Sequence, residues 1–195
     1  MVLGLGARAS RAACIVFDLG GGSTEVISGV GTEAGRWTSL PIGAVNLTET
    51  FIRSDPPLEE EIERLRAHVR ETLEARCVGM PASTPLLAGV GGTVTLIGML
   101  DRQLKAYDPA ALEGWVVDRD RLESIVAGLT RRSHAERIGL PAMGEGRADI
   151  VIAGALAVAE LARRFPGPSL VCSTQGLRYG LARLAAEELA GSQAH

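Results

Sequence analysis

Cysteine is scarce in this sequence. Cys14, Cys77 and Cys172 are odd in number, far apart and without metal-ligand spacing. That argues against a disulfide framework or a structural zinc site, and reduced thiols fit a cytoplasmic protein. Histidine is as scarce. His68, His134 and His195 share no ligand spacing, and no Ser/His/Asp or Cys/His arrangement is evident, so none is assigned to catalysis. His134, beside Arg131 and Arg132, reads as a surface residue or as the rim of a substrate mouth. Long apolar runs are missing too. The longest, residues 150–162, is Ala-rich and bounded by Asp149 and Arg163, which suits a buried helix rather than a membrane span. Arg8 and Arg11 interrupt the N-terminal stretch before a secretory core forms. Neither sign of charge dominates. A net charge of −3 gives no global pull toward nucleic acid or a membrane surface. A small anion is still compatible, because backbone donors bind phosphate whatever the net charge.

What is present is a globular composition. The 195 residues are 46% hydrophobic and 22% charged, enough for a core without staples. No internal repeat or low-complexity segment occurs. Residues 14–18 (Cys-Ile-Val-Phe-Asp) form a β-rich apolar run stopped by Gly20, Gly21 and Gly22, which predicts a buried strand entering a glycine turn. Residues 23–30 alternate as a second strand and 36–42 read as a third. A short helix is expected over 46–52. After the breaker Ser54-Asp55-Pro56-Pro57, an amphipathic helix carries Leu58, Ile62, Leu65, Val69 and Leu73 on one face. Glu59, Glu60 and Glu61 at its start read as a solvated face favoured by the helix dipole. Strand 85–90, helix 94–104, strand 115–117, helix 119–129 capped by Asp118, one long helix 145–165 and strand 170–172 follow. Residues 176–180 open a last helix. Residues 1–12 are read as a lead-in, 13–190 as the folded lobe and 191–195 as a frayed tail. Three antiparallel strands followed by alternating helices and strands predict an α/β ribonuclease-H-like lobe.

Three motifs carry chemistry. In Asp18-Leu-Gly-Gly-Gly-Ser-Thr-Glu25 a carboxylate ends a strand and glycines let backbone approach a ligand closely. Successive N–H groups in such a turn form an anion nest, to which Ser23 and Thr24 add hydroxyls. Asp18 is a hard oxygen ligand suited to Mg²⁺ held through water. Glu25 alternates with Ser23 on one face of the strand, where it can orient water or metal. The plain alternative is a glycine hairpin with a capping Asp. Gly91-Gly92-Thr93, in Gly89-Val-Gly-Gly-Thr93, joins a buried strand to a helix N-terminus and reads either as an anion or ribose site or as an ordinary strand–helix turn. Gly176-Leu-Arg178 follows the last strand, and Arg178 either reaches a phosphate or pairs with a surface acid. Arg137 and Arg147 are similar cases, each more often a surface or salt-bridging residue.

Phe17-Asp-Leu-Gly-Gly-Gly-Ser-Thr-Glu-Val26, residues 39–51, Gly89-Val-Gly-Gly-Thr93, Tyr107-Asp-Pro, Glu136-Arg137, Leu140-Pro-Ala-Met, Arg147-Ala-Asp149 and Gly176-Leu-Arg178 together resemble the exopolyphosphatase / guanosine-pentaphosphate phosphatase family. The resemblance runs from about residue 13 to 185. It implies an actin/hexokinase/Hsp70-type fold and Mg²⁺-dependent hydrolysis of terminal phosphate from polyphosphate or guanosine pentaphosphate. Asp18 would hold the metal, residues 20–24 would cradle phosphate, and Glu25 would assist at the metal or the attacking water. The family also has a preceding lobe, with its own phosphate loop and a water-activating glutamate. Neither is found here, so that lobe is expected as a partner in cis or in trans, and the cleft face it would cover could support a homodimer. Asn46 stands where Arg is common in the family, and Tyr179 where Glu is common. The alternatives are a non-catalytic phosphate- or nucleotide-binding module, or an actin-like ATPase or kinase lobe.

Overall fold

The computed structural model describes residues 13–31, 33–141, 143–167 and 169–176. The lead-in 1–12, the tail 191–195, the body of the last helix and Arg178 lie outside the described residues.

Six strands form one sheet. β1 (Ala13–Leu19), β2 (Thr24–Val30) and β3 (Glu33–Leu40) are an antiparallel meander. β4 (Leu86–Val90) and β6 (Ser169–Cys172) add in parallel to β1, and β5 (Val116–Asp118) closes the far edge antiparallel to β6, giving the order β3-β2-β1-β4-β6-β5. The helices are α1 (Ala44–Phe51), α2 (Glu59–Arg76), α3 (Gly92–Arg102), α4 (Pro109–Leu112), α5 (Arg119–Thr130), α6 (His134–Ile138), α7 (Glu145–Ala148) and α8 (Val151–Arg164). The predicted ribonuclease-H-like lobe is therefore observed.

Alternation along β1 divides the two sheet faces. Ile15, Phe17 and Leu19 join the main core with the helices, whereas Cys14 and Val16 cluster with Ala88 on the other face. Asp18 shares that second face by its position in the alternation. α8 is the hub of the helical layer and packs against α1, α2, α3 and α5. Every residue from Val151 to Ala162 is buried. Its alanines and Gly154 permit this close approach: a Cβ on Gly154 would lie 2.6 Å from Thr93 Oγ1.

The structure departs from expectation in four places. The single helix over 145–165 is two, α7 and α8. Ala148 O accepts from Arg137 Nε at 3.1 Å, a guanidinium standing where the continuing ladder would supply an N–H. β3 starts before Arg36, and its register shifts between Ile27 and Gly29. The short helices α4 and α6 were not foreseen, although Ser133 and Glu136 form a reciprocal cap on α6.

The fourth departure is Glu61, which belongs to no solvated face. It is buried, and its carboxylate accepts from the backbone N–H groups of Leu58 (2.9 Å), Arg53 (3.0 Å) and Ser54 (3.2 Å), tying the loop before α2 to the helix. Burial pushes this carboxyl up, but those backbone donors and the Ser54 hydroxyl together hold it below its ordinary value. A lowered folded value means the stabilisation is present above the ordinary carboxylate range and is lost as pH falls through the depressed value. Glu61→Gln is expected to cost about 2 kcal/mol near neutral pH, and the gap to wild type should narrow progressively as pH falls below the ordinary carboxylate value of about 4. Urea unfolding across this range checks this, and a gap independent of pH would contradict it.

Candidate functional site

The first glycine loop is shaped by α1. Gly20 O accepts from Ala44 N, and Gly21 O from Val45 N, each at 2.9 Å, while Gly22 O takes Asn46 Nδ2 at 2.9 Å. Three successive carbonyls therefore face α1. In a planar trans peptide the next N–H points the opposite way. The N–H groups of Gly21, Gly22 and Ser23 thus turn away from α1, and none has an acceptor among the described residues. This is the geometry of an anion nest. Asn46, where the family commonly has Arg, holds the loop through its bond to Gly22 O.

The second loop lies against the first. Gly91 has φ 102°, in the region glycine tolerates. A Cβ there would sit 2.7 Å from Leu19 O and 3.1 Å from Asp18 Oδ1. Gly92 and Thr93 open α3, whose first-turn N–H groups have no partner within the helix. Gly20, Gly21, Gly92, Thr93 and Arg147 line one cavity of about 260 Å³, walled elsewhere by apolar side chains such as Leu96 and Ile150. Arg147, which the sequence left open between a phosphate contact and a surface or salt-bridging residue, is brought to the loops by the fold of α7.

The carboxylates lie elsewhere. Asp18 and Glu25 are cross-strand partners on the second face of the sheet, and neither lines the cavity. The two regions share only the glycine loops. Ser23 Oγ donates to Glu25 Oε1 at 2.7 Å and Ser39 Oγ donates to the same oxygen at 2.8 Å, so Glu25 is held from both sides. Burial, then the neighbouring Glu25 charge, pushes the Asp18 carboxyl above its ordinary value. Gly176 comes close, its would-be Cβ 3.9 Å from Asp18 Oδ2, so the start of the third motif reaches this region.

The donors suit a hard cation. Two adjacent carboxylates, with Asp18 half-buried and in no ion pair among the described residues, are what Mg²⁺ would neutralise. No group of three or more His, Cys, Asp or Glu occurs among the described residues.

Two expected phosphate donors are corrected. Thr24 is fully buried and donates Oγ1 to Ile42 O at 2.7 Å, because its place in the alternation turns it into the core. The Ser23 hydroxyl hydrogen is committed to Glu25. Arg137 is neither exposed nor at the cavity, but is buried and paired with Asp55 at 3.2 Å. His68 packs on Phe51 with centroids 5.0 Å apart, away from both regions. All three cysteines are free and buried, and burial pushes the Cys172 thiol up to about 12. No described helix is long and apolar enough to cross a membrane.

Sheet order and helical packing define an actin-like lobe. Residues 2–186 match the Ppx/GppA phosphatase family, and the chain belongs to that family. It is 39% identical over 153 residues to exopolyphosphatase 2 of Mycobacterium tuberculosis, covering 76% of this chain and 47% of that protein. It is 34% identical over 153 residues to exopolyphosphatase 1 of Mycobacterium bovis, covering 75% and 43%. The crystal structure of the Aquifex aeolicus member of the Ppx/GppA family superposes with a TM-score of 0.86 at 30% identity, over 97% of this chain and 61% of that one. The chain thus spans about half the length of the curated relatives it matches.

Proposed function

We propose that this chain supplies the phosphate- and metal-holding half of a phosphohydrolase that removes the terminal phosphate from polyphosphate or guanosine pentaphosphate. The observation that carries this reading is the meeting of two glycine loops with Arg147 at one cavity. In the cavity, the N–H groups opening α3 bind phosphate oxygens and the Arg147 guanidinium adds a planar cationic donor, while the N–H groups of Gly21, Gly22 and Ser23, which turn away from α1, offer anion donors on the other side of the first loop. Asp18, beside Glu25, would hold Mg²⁺, which when bound supplies positive charge against the phosphoryl oxygens. Glu25, fixed by Ser23 and Ser39, keeps Oε2 for orienting a water. Turnover requires the lobe opposite the cleft, in cis or in trans.

One observation favours a second reading, a binding module without turnover: neither carboxylate lines the cavity. Phosphate release and calorimetric binding, measured with Mg²⁺ on wild type and Asp18→Ala, separate the two. We expect wild type to bind inorganic tripolyphosphate in a Mg²⁺-dependent manner, and Asp18→Ala to lose that dependence by about a hundredfold while keeping its melting temperature. Release that appears when the companion lobe is added, and vanishes in Asp18→Ala, supports the enzyme. Binding that never leads to release supports the module. Absence of binding sinks both.

A further inference from the structure

Arg147 reaches the cavity from α7, a helix of only four residues. Such a short element does not hold its own orientation; something must fix it. Its entry is Gly144 at φ 68°, which gives no side-chain anchor. Its exit is the Asp149–Ile150 break before α8. The groups that grip this exit come from α6. Arg137 donates Nε to Ala148 O at 3.1 Å, the carbonyl next after Arg147. The same guanidinium donates to Arg132 O and pairs through Nη2 with Asp55 Oδ1 at 3.2 Å. His134, one turn earlier, places Nε2 2.7 Å from Asp149 Oδ1, and its backbone N–H donates to both Asp55 carboxylate oxygens at 2.8 Å. α6 therefore holds the carbonyl of the residue that follows Arg147 and stands His134 against the next, and Asp55 ties α6 down in turn.

We infer that Arg137, assisted by His134, is a positioning residue that sets Arg147 against the phosphate-binding loops. The inference rests on the reading of the cavity given above. Arg137 is not among the residues that line the cavity. Its role is met by a fork that reaches three acceptors at once, which a lysine ammonium on one flexible stem does not reproduce. The charge of Lys would keep the Asp55 pair while releasing Ala148 O.

The test is a double-mutant cycle on binding. Calorimetry with inorganic tripolyphosphate and Mg²⁺ is run on wild type, Arg147→Gln, Arg137→Lys and the double variant, each checked for folding by circular dichroism and melting. Arg147→Gln is expected to weaken binding about tenfold, by loss of a charge-assisted donor. Arg137→Lys should weaken it several-fold, and the double variant should bind no worse than Arg147→Gln alone, because a misplaced guanidinium and an absent one cost the same. A purely structural Arg137 would lower the melting temperature without this coupling. Losses that multiply, or a folded Arg137→Lys with wild-type affinity, overturn the inference while leaving the cavity reading intact. An Arg147→Gln variant with unchanged affinity overturns both. Should Arg137→Lys fail to fold, His134→Ala, at a more exposed side chain, replaces it. Its smaller loss should vanish in the Arg147→Gln background, and persistence there counts against the inference.

Discussion

Gly43→Ala is expected to destabilise the lobe by more than about 3 kcal/mol and to abolish Mg²⁺-dependent anion binding. Gly43 has φ −92° and ψ 157°, an extended conformation that alanine adopts freely. Backbone preference is therefore not the cause. A Cβ at this position would lie 2.2 Å from Gly21 O and 2.4 Å from Gly21 C and Gly22 C. Both partners are backbone, so no side chain can swing away. Either α1 retreats, breaking the bonds from Ala44 and Val45 to the loop carbonyls, or the loop retreats and its N–H groups lose their common direction. Both routes damage the nest. Gly92→Ala is the control, since a Cβ there meets nothing within 4 Å. That variant should melt like wild type, so any loss of binding it shows reports the space a ligand occupies. Urea unfolding with calorimetry on the two variants decides the matter, and a stable, binding Gly43→Ala would refute the close-approach argument.

Legibility in the sequence followed the range over which each signal acts. Alternation and glycine punctuation are local, and they located the β1–β2–β3 meander, the glycine loops and the paired positions of Ser23 and Glu25. The same alternation also turned Thr24 into the core, a consequence hidden by grouping it with the loop. Glu61 looked solvated because it stood in a run of three acids. Its burial depends on backbone donors from Arg53 and Ser54, supplied by the chain bending back at the preceding loop. Arg147 was only half legible, open between a phosphate contact and a salt bridge, for a similar reason. Its meaning lies in Ala148 O being taken by Arg137 from another helix, which divides α7 from α8. Long-range partners decide such residues, and a single sequence does not display them.

Glu160 is the most consequential of these hidden partners. It sits on α8 at 2% exposure, within what the sequence presents as an apolar helix. Arg66 Nη1 of α2 and Arg163 Nη1 each approach Glu160 Oε1 at 2.7 Å, and Arg70 Nε lies 3.7 Å from Oε2. Glu123 of α5 completes the network, 3.4 Å from Arg66 Nη2 and 3.0 Å from Arg163 Nη2. Three helices are thereby registered against one another behind the sheet. The Arg163 and Arg70 side chains remain about half exposed and can be hydrated, but the Arg66 side chain is only 11% exposed. Glu160→Ala leaves that guanidinium buried with Glu123, 3.4 Å away and itself about one-third exposed, as its remaining carboxylate partner. We expect a cost of about 3–5 kcal/mol, largely independent of salt because the pair is shielded from counterions. Replacing both partners, as Arg66→Met with Glu160→Leu, removes the desolvation cost together with the attraction. The double variant should unfold within about 1 kcal/mol of wild type. Equilibrium urea unfolding of the two variants at low and high salt measures both quantities. If the double variant is as unstable as the single one, the network contributes net stability. If it recovers, the charges serve to fix the register of α2, α5 and α8, and with it the place where α8 sets Gly154 against Thr93 under the second glycine loop.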